Sequence, residues 1–205
     1  MPSIDTHPQR NTIRLQLRQS LVLKDMPAPA WTELESQLEI ADFGKSDLLV
    51  HQGHSAMEQF FVLDGILKRV VSDPKGKEMI LRFAAETDMD TSYAAWRLGR
   101  PMPYSIVAVT KVRVAKLSMQ NWVDFLGSHT VLKSRFEDEV MSLMSEVMAH
   151  TITLHLLDAP GRLSRFKRKH PELLDRIPKK ELACYLNITP ETLSRLKKRK
   201  QPAAP

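Results

Sequence analysis

In the stretch Glu191-Thr192-Leu193-Ser194-Arg195, Glu191 precedes Ser194 by three positions and Arg195 by four. On a helix that spacing gathers side chains on one face. An arginine so placed can donate two hydrogen bonds to guanine O6 and N7, and a glutamate can accept from a cytosine amino group. Ser194 suits a base or a phosphate. Thr189 and Thr192 belong to the same helix start, and Lys179, Lys180, Lys197, Lys198, Arg199 and Lys200 surround it with charge that suits phosphates. These residue types point to duplex DNA.

Two short helices must position this set. The first is expected from Lys179 to Tyr185, with Leu182 and Leu186 on one face and Ala183 small enough for a close crossing. Asn187 tolerates a left-handed turn. Thr189 can cap a second helix whose first turn suits Pro190. Ile188, Leu193 and Leu196 would anchor that helix from within. The 205-residue chain has a net charge of +6, unevenly spread: residues 161–200 hold thirteen basic and four acidic side chains. A basic end on a slightly acidic body fits a polyanion partner, against the alternative of a solvated lysine-rich tail.

Upstream, Phe136, Val140, Leu143, Val147, His150, Leu154 and Leu157 recur every three or four residues. This stripe reads as a coiled-coil seam on a helix of about 131–157, and it is expected at a dimer interface, with Met141, Met144 and Met148 towards the chain's own body. A helix packed only on its own barrel is the alternative. His150 in that seam would make dimerisation pH-sensitive if it charged, or would sit neutral with a hydrogen-bond partner. Asp158-Ala159-Pro160-Gly161 stops the pattern and reads as a hinge.

Between about Leu38 and Leu117, short apolar runs such as Phe60–Leu63 and Ile66–Val71 are separated by turn residues, Asp73–Gly76 among them. They predict a β-barrel or sandwich. The fold expected is α+β: a β-roll or jelly-roll sensor domain at 31–128 after an N-terminal arm at 1–30, a dimerisation helix at 129–158, and a small helix-turn-helix domain, winged-helix-like, at 159–205.

At Glu191–Arg195 the chain resembles the Glu-x-x-Ser-Arg recognition motif of the Fnr branch of the Crp/Fnr family. Asp158–Arg162 is similar to that family's hinge. Gly53–Ala56 with Phe60–Gly65, then Gly76–Leu81, resemble strands of its cyclic-nucleotide-binding-like barrel. The resemblance spans roughly residues 30–200. It implies a transcription regulator acting as a homodimer on two-fold-symmetric duplex DNA in a bacterial cytoplasm, with RNA polymerase as a candidate partner.

The chain departs from that pattern where cyclic-nucleotide binders carry a Gly-Glu pair and then Arg-Ser. Here Thr87–Trp96 contains no Gly-Glu, and Tyr104-Ser105 replaces Arg-Ser, with Arg97 and Arg100 offset. This argues against cyclic AMP. The sensor reads as a remodelled pocket around Tyr93, Trp96, Arg97, Tyr104 and Ser105 for another small molecule, as an unliganded body, or as a haem site, which seven histidines allow but no marked axial ligand supports. The few residues after Arg195 leave little chain for a wing.

A rival reading is a metal-dependent cupin enzyme, from His51-x-x-His54-x-x-x-Glu58. A spacing of three places the two histidines on opposite strand faces unless Gly53 turns the chain, so no metal is expected. A third reading is a ligand-binding module without DNA specificity. There is no Gly-x-Ser-x-Gly, P-loop or dinucleotide fingerprint, and no catalytic residue is assigned. The lone Cys184 excludes an internal disulfide. No apolar run reaches the ~18 residues of a membrane span, so no membrane partner is expected.

Overall fold

A computed structural model describes residues 3–198. Two short helices, α1 (Arg10–Leu17) and α2 (Ala28–Glu35), lead into eight strands: β1 (Glu39–Phe43), β2 (Leu48–Val50), β3 (Glu58–Asp64), β4 (Leu67–Ser72), β5 (Glu78–Ala84), β6 (Met89–Thr91), β7 (Ser105–Ala108) and β8 (Val112–Ser118). The short α3 (Tyr93–Arg97) interrupts them. The helices α4 (Met119–Ser128), α5 (Thr130–Leu156), α6 (Ala159–Lys169), α7 (Lys179–Tyr185) and α8 (Pro190–Lys198) follow.

The strands form two four-stranded antiparallel sheets, ordered β1-β8-β3-β6 and β2-β7-β4-β5. This is the expected β-roll. Alternation drives it: in β8, Val112 and Val114 point inward beside half-buried Arg113. In β3, Phe60 to Leu63 are all buried, because the barrel interior takes one face and helices take the other. Phe61 and Phe136 each meet Trp122 edge-on, with ring centroids 5.4 and 5.3 Å away, which fastens α4 and α5 to the roll.

Two turns carry the strand pairing. Asp73 accepts from the backbone amides of Lys75 and Lys77 at 2.9 Å each, closing the β4–β5 hairpin where it was expected. Gly65 turns β3 into β4 at φ 89°, and a Cβ there would lie 2.1 Å from the Lys111 carbonyl oxygen. Only glycine fits.

Residues 3–30 are not a separate arm. Ile4, Ile13, Leu17, Val22 and Leu23 are buried in the same core as the barrel. The four-residue spacing of Ile13 and Leu17 gives α1 one apolar edge, and Gln16 donates to the Leu63 carbonyl at 3.0 Å. The C-terminal helices likewise share a core with the roll: Ile66, Val70, Ile80 and Phe83 pack with Leu163, Phe166, Leu182 and Ala183. Among the described residues no strand occurs after β8, and residues 171–173 form a 3-10 turn.

Candidate DNA interface and ligand pocket

The helix-turn-helix is assembled as its sequence requires. α7 spans the expected residues. Asn187 takes φ 50°, and the amides of Asn187 and Ile188 donate to the carbonyls of Cys184 and Ala183, both at 3.0 Å. The Thr189 hydroxyl accepts from the Thr192 amide at 3.2 Å, capping α8. Leu182, Ala183, Leu186 and Leu193 are buried, and Ile188 and Leu196 are half-buried.

On α8, Glu191, Arg195 and Lys198 are exposed on the outer side. Glu191 has its carboxyl held below the ordinary range, first by its backbone amide and then by Thr189. Ser194 is half-buried and donates to the Pro190 carbonyl at 3.0 Å. Lys197 turns back, donating to the Leu174 carbonyl at 3.4 Å. Lys179 and Lys180 are exposed at the start of α7. Arg199 and Lys200 lie outside the described residues.

α7 is docked on the roll. Lys68 of β4 meets Glu181 at 2.7 Å, and Arg176 grips Glu86 with two hydrogen bonds of 2.8 and 2.5 Å. Glu86 also accepts from the Gly65 amide at 2.8 Å; burial works against its charge, but these donors hold its pKa below the ordinary value. Tyr185 lies between Phe83 of β5, at 5.1 Å, and the His150 ring, at 3.8 Å.

The hinge is shorter than expected. Asp158 accepts from the Gly161 amide at 2.9 Å and caps α6, so Pro160 and Gly161 belong to its first turn. Arg162 then locks the junction. It donates to the carbonyls of Leu154 and Leu157 on one side, at 2.7 and 2.8 Å, and of Leu186 and Asn187 on the other, at 3.1 and 3.3 Å.

The expected seam of α5 faces inward, which corrects its assignment to a partner helix. Phe136, Val140, Leu143 and His150 are buried, and Val147 and Leu154 half-buried, against this chain's own roll and α7; only Leu157 at the end is exposed. The methionines expected to face the barrel point out instead: Met141, Met144 and Met148 are 63, 53 and 65% exposed, continued by Ile152 and Leu156. α5 carries two apolar faces, and its own domains cover the one richer in branched and aromatic residues.

A cavity of about 230 Å³ lies between the roll and α5, with walls from β4, β5, α3 and the inner face of α5. Tyr104 lines it, as expected, but the other proposed pocket residues do not. Tyr93 packs edge-on to Phe136 and donates to Glu137 at 3.2 Å. Trp96 stacks on Tyr93, Ser105 accepts from the Gln52 amide at 3.0 Å, and Arg97 is exposed.

The residue missed is Arg69. It is 6% exposed, donates to both Asp90 carboxylate oxygens at 2.9 and 3.0 Å and to the Thr91 carbonyl at 3.1 Å, and lies 4.7 Å from the Tyr104 ring centre. Burial opposes its charge, but Asp90 outweighs it and raises the pKa. Tyr104 donates to the Thr91 carbonyl at 2.7 Å, and burial pushes its hydroxyl pKa up to about 12. The signal for Arg69 was a charge inside the apolar run Ile66–Val71.

Comparison with known proteins agrees with this architecture. Residues 41–129 match the cyclic nucleotide-binding domain. The cAMP-activated global transcriptional regulator CRP of Salmonella typhimurium is 21% identical over 173 residues, 80% of this chain and 82% of the relative. FixK2 of Bradyrhizobium japonicum superposes with a TM-score of 0.69 at 15% identity, covering 79% of this chain and 83% of FixK2. The c-di-GMP responsive regulator CLP of Xanthomonas campestris gives 0.69 at 12%, covering 84% and 91%. The chain is similar to Crp-type transcription regulators over most of its length, and residues 41–129 match their cyclic nucleotide-binding domain.

The polar groups around the cavity bear on what it can hold. Cyclic-nucleotide binding asks for an arginine free to take a phosphate and a carboxylate for the ribose. Here Asp90 already engages Arg69, and among the described residues no glutamate lines the cavity. Among the described residues no histidine lines the cavity. At the residues of the cupin reading, Gly53 does turn the chain, at φ 89°, and the His51 and His54 rings lie 5.7 Å apart, while Glu58 is held by Lys116 at 2.6 Å. Among the described residues no cluster of three metal-ligating side chains occurs, and no helix is long and apolar enough to cross a membrane.

Proposed function

We propose that this chain is a sequence-specific DNA-binding transcription regulator of the cytoplasm, acting as a homodimer without cyclic AMP. The observation that carries this reading is α8: a capped helix with Glu191 and Arg195 exposed near its N-terminal half and Leu193 buried behind them. A recognition helix needs that disposition in the major groove. Arg195 reads guanine, Glu191 reads cytosine, and Lys179, Lys180 and Lys198 contact phosphates. The regulators named above support the reading by shared fold and, for CRP, by homology.

The second copy packs along Met141, Met144, Met148, Ile152 and Leu156. This exposed stripe repeats every three or four residues, the period of a two-helix seam. A two-fold axis there sets two copies of α8 on one face of a duplex.

Fluorescence anisotropy on a duplex recovered from a random pool tests the reading. Arg195→Ala is expected to weaken that duplex at least tenfold and to leave binding to scrambled duplex nearly unchanged. Equal weakening on both would reduce the helix to an electrostatic contact, the behaviour of a ligand-binding module with an incidental basic end.

A further inference from the structure

The charged and phenolic groups lining the cavity between the roll and α5 are already engaged: Arg69 pairs with Asp90 behind the wall, and the Tyr104 hydroxyl is committed to Thr91. Arg69 is the charged residue of the lining and Asp90 already neutralises it, so an entering anion meets no uncompensated positive charge. A buried charge without a partner is strongly disfavoured.

Two donors are left over. Nη1 of Arg69, on a side chain more than nine-tenths buried, makes no hydrogen bond among the described residues. Ser92 is 3% exposed and stands at the N-cap of α3, yet its hydroxyl makes no capping bond. Both residues line the cavity; the rest of the wall is largely apolar, with Leu81, Ala95, Val140 and Leu143. A cavity of about 150 Å³ holds benzene. The 230 Å³ here admits one ring with a short substituent.

We propose that this cavity takes a small uncharged molecule: a single ring or comparable apolar body bearing one carbonyl or hydroxyl oxygen, which accepts from Arg69 Nη1 beside Ser92. The inference rests on the regulator reading of the fold. Such a ligand touches Val140, Leu143 and Val147 on the inner face of α5, and Met144, which also belongs to the exposed stripe. Filling the cavity therefore bears on the helix that carries the second copy.

Ligand-observed NMR titrations of the full chain without DNA test this with acetophenone, toluene, benzoate and cyclic AMP. Acetophenone is expected to saturate and to bind at least tenfold tighter than benzoate, its anionic counterpart, and at least threefold tighter than toluene, which lacks the oxygen. Val147→Phe, which fills the cavity from α5, should abolish acetophenone binding. The double variant Arg69→Met with Asp90→Asn, which leaves no unpaired charge, should bring acetophenone down to the affinity of toluene.

No saturable acetophenone binding, benzoate or cyclic AMP binding more tightly, or acetophenone affinity unchanged in Val147→Phe would each overturn the assignment. The wild-type comparison stands even if a variant fails to fold. Because DNA is absent, failure here refutes the ligand class and leaves the regulator reading to the anisotropy experiment.

Discussion

The ring of His150 on α5 lies flat against that of Tyr185 on α7, centroids 3.8 Å apart and planes within 4°. This stack joins the long helix to the first helix of the DNA-binding motif. Burial, with Lys169 and Arg165 nearby, lowers the His150 pKa from 6.5 to about 4, so the ring is neutral in the docked state. The Nε2 atom is buried without a hydrogen-bond partner among the described residues.

Acid should therefore loosen this junction. A histidine with its folded pKa depressed contributes full stability above its unfolded pKa and loses it as pH falls from about 6.5 towards 4, by up to about 1.4 kcal/mol per pH unit. Burial also lowers His170 from the same ordinary value, and the lowered carboxyl of Glu86 adds acid sensitivity further down. Urea midpoints at pH 7.5, 6 and 5 should fall in that order, with a shallower fall in His150→Leu. Parallel falls in both proteins would remove His150 from the account.

Arg162 holds carbonyls at the end of α5 and in the turn of the helix-turn-helix. Arg162→Ala should cost about 1–3 kcal/mol of stability by leaving those acceptors without their charged donor. Equilibrium urea unfolding reads the loss. Arg162→Lys should recover little of it, because one ammonium cannot span four carbonyls as a guanidinium does.

The two faces of α5 make opposite predictions. Met148→Glu on the exposed stripe should yield a folded monomer by analytical ultracentrifugation, as a charge enters an apolar seam. Phe136→Ala in the inward stripe should cost about 3–5 kcal/mol through the cavity it leaves, with no direct effect on the seam. A stable dimer of Met148→Glu would place the second copy elsewhere.

Much of this was legible in advance. The strands, the turn at Asp73–Gly76, the bounds of α7 and the Asn187 and Thr189 signals all follow from local chemistry, and the structure has them. What misled was α5. Its apolar residues form two stripes, at Phe136–Leu154 and at Met141–Leu156, and periodicity cannot say which of two apolar faces its own barrel will cover. Arg69 escaped for a related reason. A buried arginine is intelligible only with Asp90, which lies on another strand, and that pairing is tertiary. Likewise, nothing local in Lys68, Glu86, Arg176 or Glu181 shows that the DNA-binding helices dock on β4 and β5.

The basic residues around α8 should separate in salt. Lys198 is exposed, whereas Lys197 is drawn back to Leu174 and Asp175. Lys198→Ala should lower the slope of log affinity against log salt by about one phosphate contact, with little change in sequence preference. Lys197→Ala should change the slope less. Anisotropy titrations between low and physiological salt measure both.

The most direct test of the central claim is selection of duplexes from a random pool by the purified wild-type chain. A dimeric regulator should recover a two-fold-symmetric site whose half-sites are centred about one helical turn apart, roughly 34–36 Å. Recovery of no shared sequence, with binding that simply fades as salt rises, would contradict it.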